Sequence, residues 1–301
     1  MSIVEKNGYL LGAPNVFIQN RGDSLTAGMP KMSKGSQPTD GGFLILTEEE
    51  RNGIVAKYPE AEKFIRRYVG SDDFINNKFR YCIWLENVSP SSYRHIPEIM
   101  ERICNVAETR RKSPTSSVQR DADIPMLFTQ RRQPNTKYLA VPEVSSERRR
   151  YVPIGYLDPQ LIASNKLYIV PDASIFMFGV LISNVHMSWM RIVCGRLEMR
   201  YSYSPSVYNN FPWPTPTESQ KAKIEQTVQG ILDARAKYPD CSLADLYDEL
   251  TMPPELRKAH QENDKAVMEA YGFNWRTMTE SDCVAELFKL YQKLSKAEGP
   301  N

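Results

Sequence analysis

Four polar side chains at alternate positions, Arg196, Glu198, Arg200 and Ser202, are the residues of this 301-residue sequence whose types and spacing most directly imply chemistry. Alternate residues of a strand share a face. An extended segment over 196–203 would therefore show these four on one side and Leu197, Met199, Tyr201 and Tyr203 on the other. The chemistry is hydrogen bonding: Arg bonds bidentately to guanine O6 and N7, Glu accepts from cytosine N4, and Ser is adaptable. A Glu among arginines weakens general phosphate binding, which leaves base readout or an internal Glu–Arg pair. A second feature is Arg148-Arg149-Arg150. Three guanidiniums are not buried without partners, so this run is either a solvated face or a contact to backbone phosphates.

Catalytic signals are missing. No Gly-x-Gly-x-x-Gly, Walker loop or Gly-x-Ser-x-Gly occurs, and no His pair has metal-ligand spacing. His186 lies in an apolar run and His260 on an apolar helix register, so both read as hydrogen-bonded core residues; His95 is far from either. Asn209-Asn210-Phe211-Pro212-Trp213 lacks the two central prolines of the Asn-Pro-Pro-Tyr loop of amino-methylating enzymes. No catalytic, cofactor-binding or metal residue is assigned, and the chain by itself is not expected to be an enzyme.

The polar ladder needs a platform. The mostly apolar stretch Ser174 to Cys194, closed by Gly195, reads as one long buried helix feeding the strand. Upstream, residues 1 to 46 are irregular around short apolar pieces such as Val16-Phe17-Ile18, with a long polar loop from Arg21 to Gly42 that is functional or disordered. Thr47-Glu48-Glu49-Glu50 is a capping box, and Pro59 is expected to open a second helix carrying Phe64, Ile65 and Tyr68. Asn76-Asn77 turns into a strand over 79–85. Pro97 opens a helix ending in Arg110-Arg111-Lys112, basic groups that suit a helix C-terminus. Strand-like pieces follow at 138–141, 151–156 and 167–170. Past the proline-rich Phe211–Pro216, three amphipathic helices begin near Thr217, Pro253 and Thr279. The expectation is α+β: a mixed domain over 1–214 with short strands and a long buried helix, then a small all-α domain over 215–301.

Charge divides along the same boundary. After Pro216 there are 11 Lys and Arg against 15 Asp and Glu, a net of −4, which leaves 27 against 21 before it, a net of +6. A basic body with an acidic tail implies that the body meets a polyanion. The five cysteines are scattered and never in a Cys-x-x-Cys pair, as for reduced thiols. The N-terminus lacks a basic-then-apolar leader, and Asn184, His186 and Arg191 interrupt the longest apolar run. A cytoplasmic protein with no membrane partner is expected. A reading from a different class is a protein-interaction module that docks through the helical tail.

Several motifs together resemble a known family. They are Tyr-Val-Pro-Ile-Gly-Tyr-Leu (151–157), Ser-Asn-Val-His-Met-Ser-Trp-Met-Arg (183–191), Gly-Arg-Leu-Glu-Met-Arg-Tyr-Ser-Tyr-Ser (195–204) and Val-Tyr-Asn-Asn-Phe-Pro-Trp-Pro (207–214). With Leu-Asp-Ala-Arg-Ala-Lys-Tyr-Pro-Asp (232–240), Ser-Leu-Ala-Asp-Leu-Tyr-Asp (242–248) and Leu-Thr-Met-Pro-Pro-Glu-Leu-Arg-Lys-Ala-His (250–260), they are similar to the C-terminal half of MmeI-type restriction–modification enzymes and related adenine DNA methyltransferases. The resemblance covers nearly the whole chain. It implies a target recognition domain and a helical domain that partner double-stranded DNA. It also implies a methyltransferase domain, in cis or in trans, that binds S-adenosylmethionine and flips out an adenine. That domain's glycine motif and Asn-Pro-Pro-Tyr loop have no counterpart in this sequence, as expected of a fragment or a separate specificity subunit. Carried over by matching motif, the resemblance implies base-reading roles for Lys166, Glu198, Arg200 and Ser202. DNA-backbone contacts are expected from Arg148, Arg149, Arg150 and Arg196.

Overall fold

The structure is a computed structural model that describes residues 18–297. Val16 and Phe17 of the first apolar piece lie outside the described residues. The chain begins with strands β1 (Ser33–Lys34) and β2 (Ile45–Leu46), helix α1 (Glu48–Lys57), strand β3 (Ile65–Val69), helix α2 (Ser71–Asn76) and strand β4 (Arg80–Ile83). Helices α3 (Pro97–Arg111) and α4 (Ser116–Arg120) follow, then strands β5 (Tyr138–Pro142), β6 (Val144–Ser145), β7 (Gly155–Leu157), β8 (Ile162–Ala163) and β9 (Leu167–Pro171). Next come helices α5 (Ile175–Leu181) and α6 (Asn184–Val193), strands β10 (Gly195–Leu197) and β11 (Arg200–Ser202), and helix α7 (Pro205–Asn209). The tail holds α8 (Glu218–Ala236), α9 (Leu243–Leu246), α10 (Pro254–Ala270) and α11 (Glu280–Ala297). The fold is α+β, with mixed sheets and a helical C-terminal region.

The residues fall into two compact units, one comprising 33–140 and 156–169, the other the remaining described residues. In the first unit, two four-stranded sheets run in the orders β1-β9-β5-β7 and β2-β4-β3-β8. The β3–β4 pairing is antiparallel and β3–β8 parallel. The capping box at Thr47 forms: the Glu50 N–H donates to Thr47 Oγ1 at 3.2 Å, and the Thr47 N–H to Glu50 Oε2 at 2.8 Å. Phe64, Tyr68, Ile83, Trp84 and Phe128 form much of the core, with the Trp84 and Phe128 rings meeting edge-on at 5.0 Å.

Three sequence expectations change in this unit. After Pro59 the chain makes only a short 3-10 turn, Pro59–Phe64, and then β3. Ile65 and Tyr68 therefore sit on a strand, paired with β4 along one edge and, at Tyr68, with β8 along the other. The polar loop also has a strand inside it, since β1 pairs with β9 through Ser33↔Ile169 and Lys34↔Tyr168. Beside it Gly35 packs so closely that a Cβ would lie 2.4 Å from the Ser164 carbonyl oxygen, a fit only glycine permits. Finally, Arg110, read in sequence as a basic group suited to the helix C-terminus, is fully buried. Its guanidinium donates to the carbonyls of Pro38, Thr39, Asp121, Ile124 and Leu127 at 2.7–3.2 Å, satisfying all five N–H groups. One buried cation thus ties three loop segments to α3.

In the second unit, the expected long helix is two. α5 and α6 meet at 57° across a break at Ile182 and Ser183. Ser183 causes the break: its hydroxyl donates to the Val180 carbonyl at 2.7 Å and accepts from the His186 N–H at 3.4 Å, ending one helix and capping the next. Together the two are apolar enough for a membrane window, but among the described residues no single helix is long and apolar enough to cross a membrane. α8 and α10 pack against α5 in the same unit. Gly179 of α5 lets α8 approach, since a Cβ there would lie 2.5 Å from Val228 Cγ2 and 2.7 Å from Ile224 Cγ2. The buried Asn263 of α10 fastens the junction, donating to the Gly179 carbonyl at 2.9 Å and accepting from Thr227 Oγ1 at 3.0 Å.

Asn209 and Asn210 also act structurally. Their side-chain amides donate to the Arg21 and Gln19 carbonyls at 2.9 and 2.7 Å, holding the segment that precedes β1.

Candidate nucleic-acid interface

The segment expected to be one strand is a β-hairpin. Register pairs Gly195 with Ser202, Arg196 with Tyr201, and Leu197 with Arg200, which leaves Glu198 and Met199 as a two-residue turn. Residues directly opposite in a hairpin share a face. Arg200 and Ser202 therefore lie on one face with Leu197, while Arg196 lies on the other with Tyr201. Glu198 is on neither face. Its φ of +56° is left-handed, a conformation a turn at this position usually gives to glycine. The expected single-faced ladder does not form, and Glu198-Met199 carries no Asn-Gly or Asp-Gly signal that would mark the reversal.

The hairpin is seated from below. β11 pairs with β6 through Tyr201↔Ser145 and Ser202↔Val144, giving a three-stranded sheet in the order β10-β11-β6. The Tyr203 N–H donates to the Glu143 carbonyl at 2.8 Å. Its hydroxyl meets His186 Nε2 at 3.1 Å, which links the strand to α6. Burial pulls the His186 imidazole down to about 3, so it is neutral at physiological pH and serves the platform. Trp189, fully buried on the same helix, donates its indole N–H to the Val207 carbonyl at 3.0 Å.

At the tip, Arg200 Nη2 lies 3.0 Å from Glu198 Oε2, with both side chains largely in water. The internal pair open from sequence is thus present in the free chain, at the roughly 0.2–1 kcal/mol an exposed pair contributes. Arg196 stacks over the Tyr201 ring at 4.6 Å and reaches Glu147 at 3.5 Å. Glu147 sits between β6 and the three arginines, so the hairpin and the Arg148–Arg150 run belong to one surface of one unit.

Of the three arginines, Arg148 and Arg150 are exposed and Arg149 is half-buried. Burial pulls the Arg149 guanidinium below its ordinary value, and Asp248 acts in the opposite sense. The run lines a recess of about 500 Å³ with Arg191, Glu249, Thr279 and Glu280 among its walls. Arg191 fixes its shape, donating to the Arg150 carbonyl at 2.8 Å and pairing with Glu280 at 2.9 Å. The surface is therefore cationic with acidic counterweights. Glu147, Arg191 and Tyr201 were missed in sequence because their roles depend on the hairpin register and on helix packing.

Lys166 belongs to the other unit. It is exposed in the turn between β8 and β9, where its N–H donates to Ser164 Oγ at 3.1 Å and its carbonyl accepts from the Ser71 hydroxyl. The backbone there is firmly held. The remaining histidines carry no catalytic geometry: His95 is at the surface 3.1 Å from Glu60, and His260 is buried with Nε2 2.8 Å from the Tyr247 hydroxyl.

Known proteins share both the sequence and the fold. DNA methyltransferase A of Bacillus subtilis (strain 168) is 35% identical over 289 residues, which cover 96% of this chain and 32% of that protein. A solved structure of the Type IIL restriction–modification enzyme MmeI in complex with DNA superposes with a TM-score of 0.92 at 45% identity, covering 96% of this chain and 39% of that one. The chain thus spans about a third of the length of these relatives. Residues 12–215 match the family described as the MmeI target recognition domain, and residues 216–297 the MmeI C-terminal domain. On that match, over more than nine-tenths of its length, the chain belongs to the MmeI target recognition family.

Proposed function

We propose that this chain is the sequence-specific, double-stranded-DNA recognition module of an adenine-N6 DNA methyltransferase of a restriction–modification system. The observation that carries the reading is the hairpin tip: two oppositely charged side chains in water, Glu198 in the two-residue turn and Arg200 beside it on β11, in a family with a solved member bound to DNA. Arg200 and Ser202 face one way to read base edges, with Glu198 at the turn and Lys166 on the other unit as further readers. Arg148, Arg149, Arg150 and Arg196 contact phosphates and set register.

The methyl transfer belongs to a methyltransferase domain, in cis or in trans, that this chain does not span. S-adenosylmethionine supplies the methyl group there, and no residue of this chain is assigned to hold it. The role of these residues is to bind the duplex, orient it, and so present one adenine to that domain.

The test is a gel-shift titration of the chain with random duplex at low salt, then methylation of site variants by the full-length protein carrying Arg200→Ala. Binding is expected, and the substitution should cost roughly 1–3 kcal/mol at one base pair and alter which base is accepted there. Absence of binding at low salt would favour a protein-docking role instead. An equal fall over every site variant would remove Arg200 from the readers.

A further inference from the structure

We propose that Met199 is a further specificity-determining residue, and that it reads thymine through the 5-methyl group; this rests on the DNA-reading function above. Met199 is 67% exposed and its neighbour Leu197 51% exposed, on a sheet whose inner residue Tyr201 is buried. Turns of two residues favour Gly, Asn and Asp, yet this one is built of Glu198 and Met199, with the backbone of Glu198 left-handed. Neither residue serves the turn. An apolar side chain at the most projecting point of a hairpin also does nothing for the free chain, since its surface remains in water.

In the major groove the base edges offer hydrogen-bond donors and acceptors and one bulky apolar group, the thymine methyl. Glu198 matches a donor and Arg200 an acceptor pair, whereas Met199, between them in sequence, matches only the methyl. Its unbranched side chain has three rotatable bonds and reaches past the backbone without a fixed rotamer. The tip therefore offers acceptor, apolar and donor groups in succession. The thymine it selects lies at the step beside the guanine-containing base pair read by Arg200.

The experiment is site selection by the full chain from random duplexes, run in parallel with pools containing thymine and pools containing deoxyuridine, which lacks only the methyl. The wild-type chain should enrich one motif in which a thymine beside the Arg200-dependent base pair is preferred about fourfold, the worth of burying one methyl group. That preference should vanish in the deoxyuridine pool while the rest of the motif persists, and Met199→Ser should abolish it in the thymine pool. A motif identical in both pools, or one without thymine at that place, overturns the role of Met199 and leaves DNA reading intact. Equal weakening of all sequences by Met199→Ser overturns it as well. If neither pool yields a motif, sequence reading itself fails, and this proposal with it.

Discussion

Single residues carry the strongest evidence of use at the hairpin tip. Glu198 holds a left-handed backbone that costs a non-glycine residue about 1 kcal/mol or more, and it makes one exposed ion pair in return. Glu198→Gly is therefore expected to stabilise the chain by up to about 1 kcal/mol, seen as a rise of a few degrees in Tm, while relaxing base preference at one position. A lower Tm for this variant would show that the carboxylate, not the backbone, governs the turn. Arg110 shows the opposite case. It was legible only as a basic helix end, because nothing local in sequence reveals that five carbonyls from distant loops converge on it.

At the scale of elements, helix junctions decide what the hairpin stands on. Gly179→Ala should destabilise by about 1–3 kcal/mol in urea unfolding, because the new methyl meets Val228 and Ile224 of α8. Gly230→Ala, on α8 itself with nothing near its would-be Cβ, should stabilise by roughly 0.5–1 kcal/mol. Two changes of the same kind with opposite signs isolate the packing effect; a matching sign for both would refute it. Asp264 of α10 supplies a pH-dependent junction. It accepts from the Tyr151 hydroxyl at 2.6 Å and the Asn184 N–H at 2.8 Å, with Arg150 and Arg191 the nearby charges, and burial raises its carboxyl to about 6. Because the folded state holds this proton more tightly than the unfolded chain, its contribution is full below about pH 4 and is lost as pH rises through 6. Asp264→Asn mimics the protonated carboxyl, its amide oxygen accepting from the Asn184 N–H and its amide N–H donating to the Tyr151 hydroxyl, and should raise stability at pH 8 by up to about 3 kcal/mol while leaving little difference at pH 4. A difference between variant and parent that is constant from pH 4 to 8 would place the titration elsewhere.

For the whole molecule, element type was legible wherever local chemistry was decisive. The capping boxes at Thr47 and Thr217 open helices where Thr-x-x-Glu and Thr-x-x-Gln stand, and the apolar registers of α10 and α11 follow a period of 3.6. What was illegible is tertiary. A serine inside an apolar run gave no warning of the bend at Ser183, and Glu-Met gave none of a tight turn. Residues 217–297, set apart in sequence by charge and proline, share one compact unit with the hairpin and its platform. The charge asymmetry itself leads to a prediction at this scale. Arg148→Ala with Arg149→Ala should weaken binding to all duplexes and reduce the slope of log K against log salt by about 1–2. An unchanged slope, measured by fluorescence anisotropy from low to moderate salt, would assign the run to a solvated face.

The exposed contact between Arg200 and Glu198 bears on how quickly a target is found. With the roles proposed above, the tip would be nearly neutral while the two side chains hold each other, leaving the arginines of the neighbouring run to carry the protein along phosphates. A matching pair of bases would then have to part them, and since an exposed pair is worth no more than about 1 kcal/mol, parting it costs little. On that reading the same two residues would serve in turn as a closed skid during the search and as open fingers at the site.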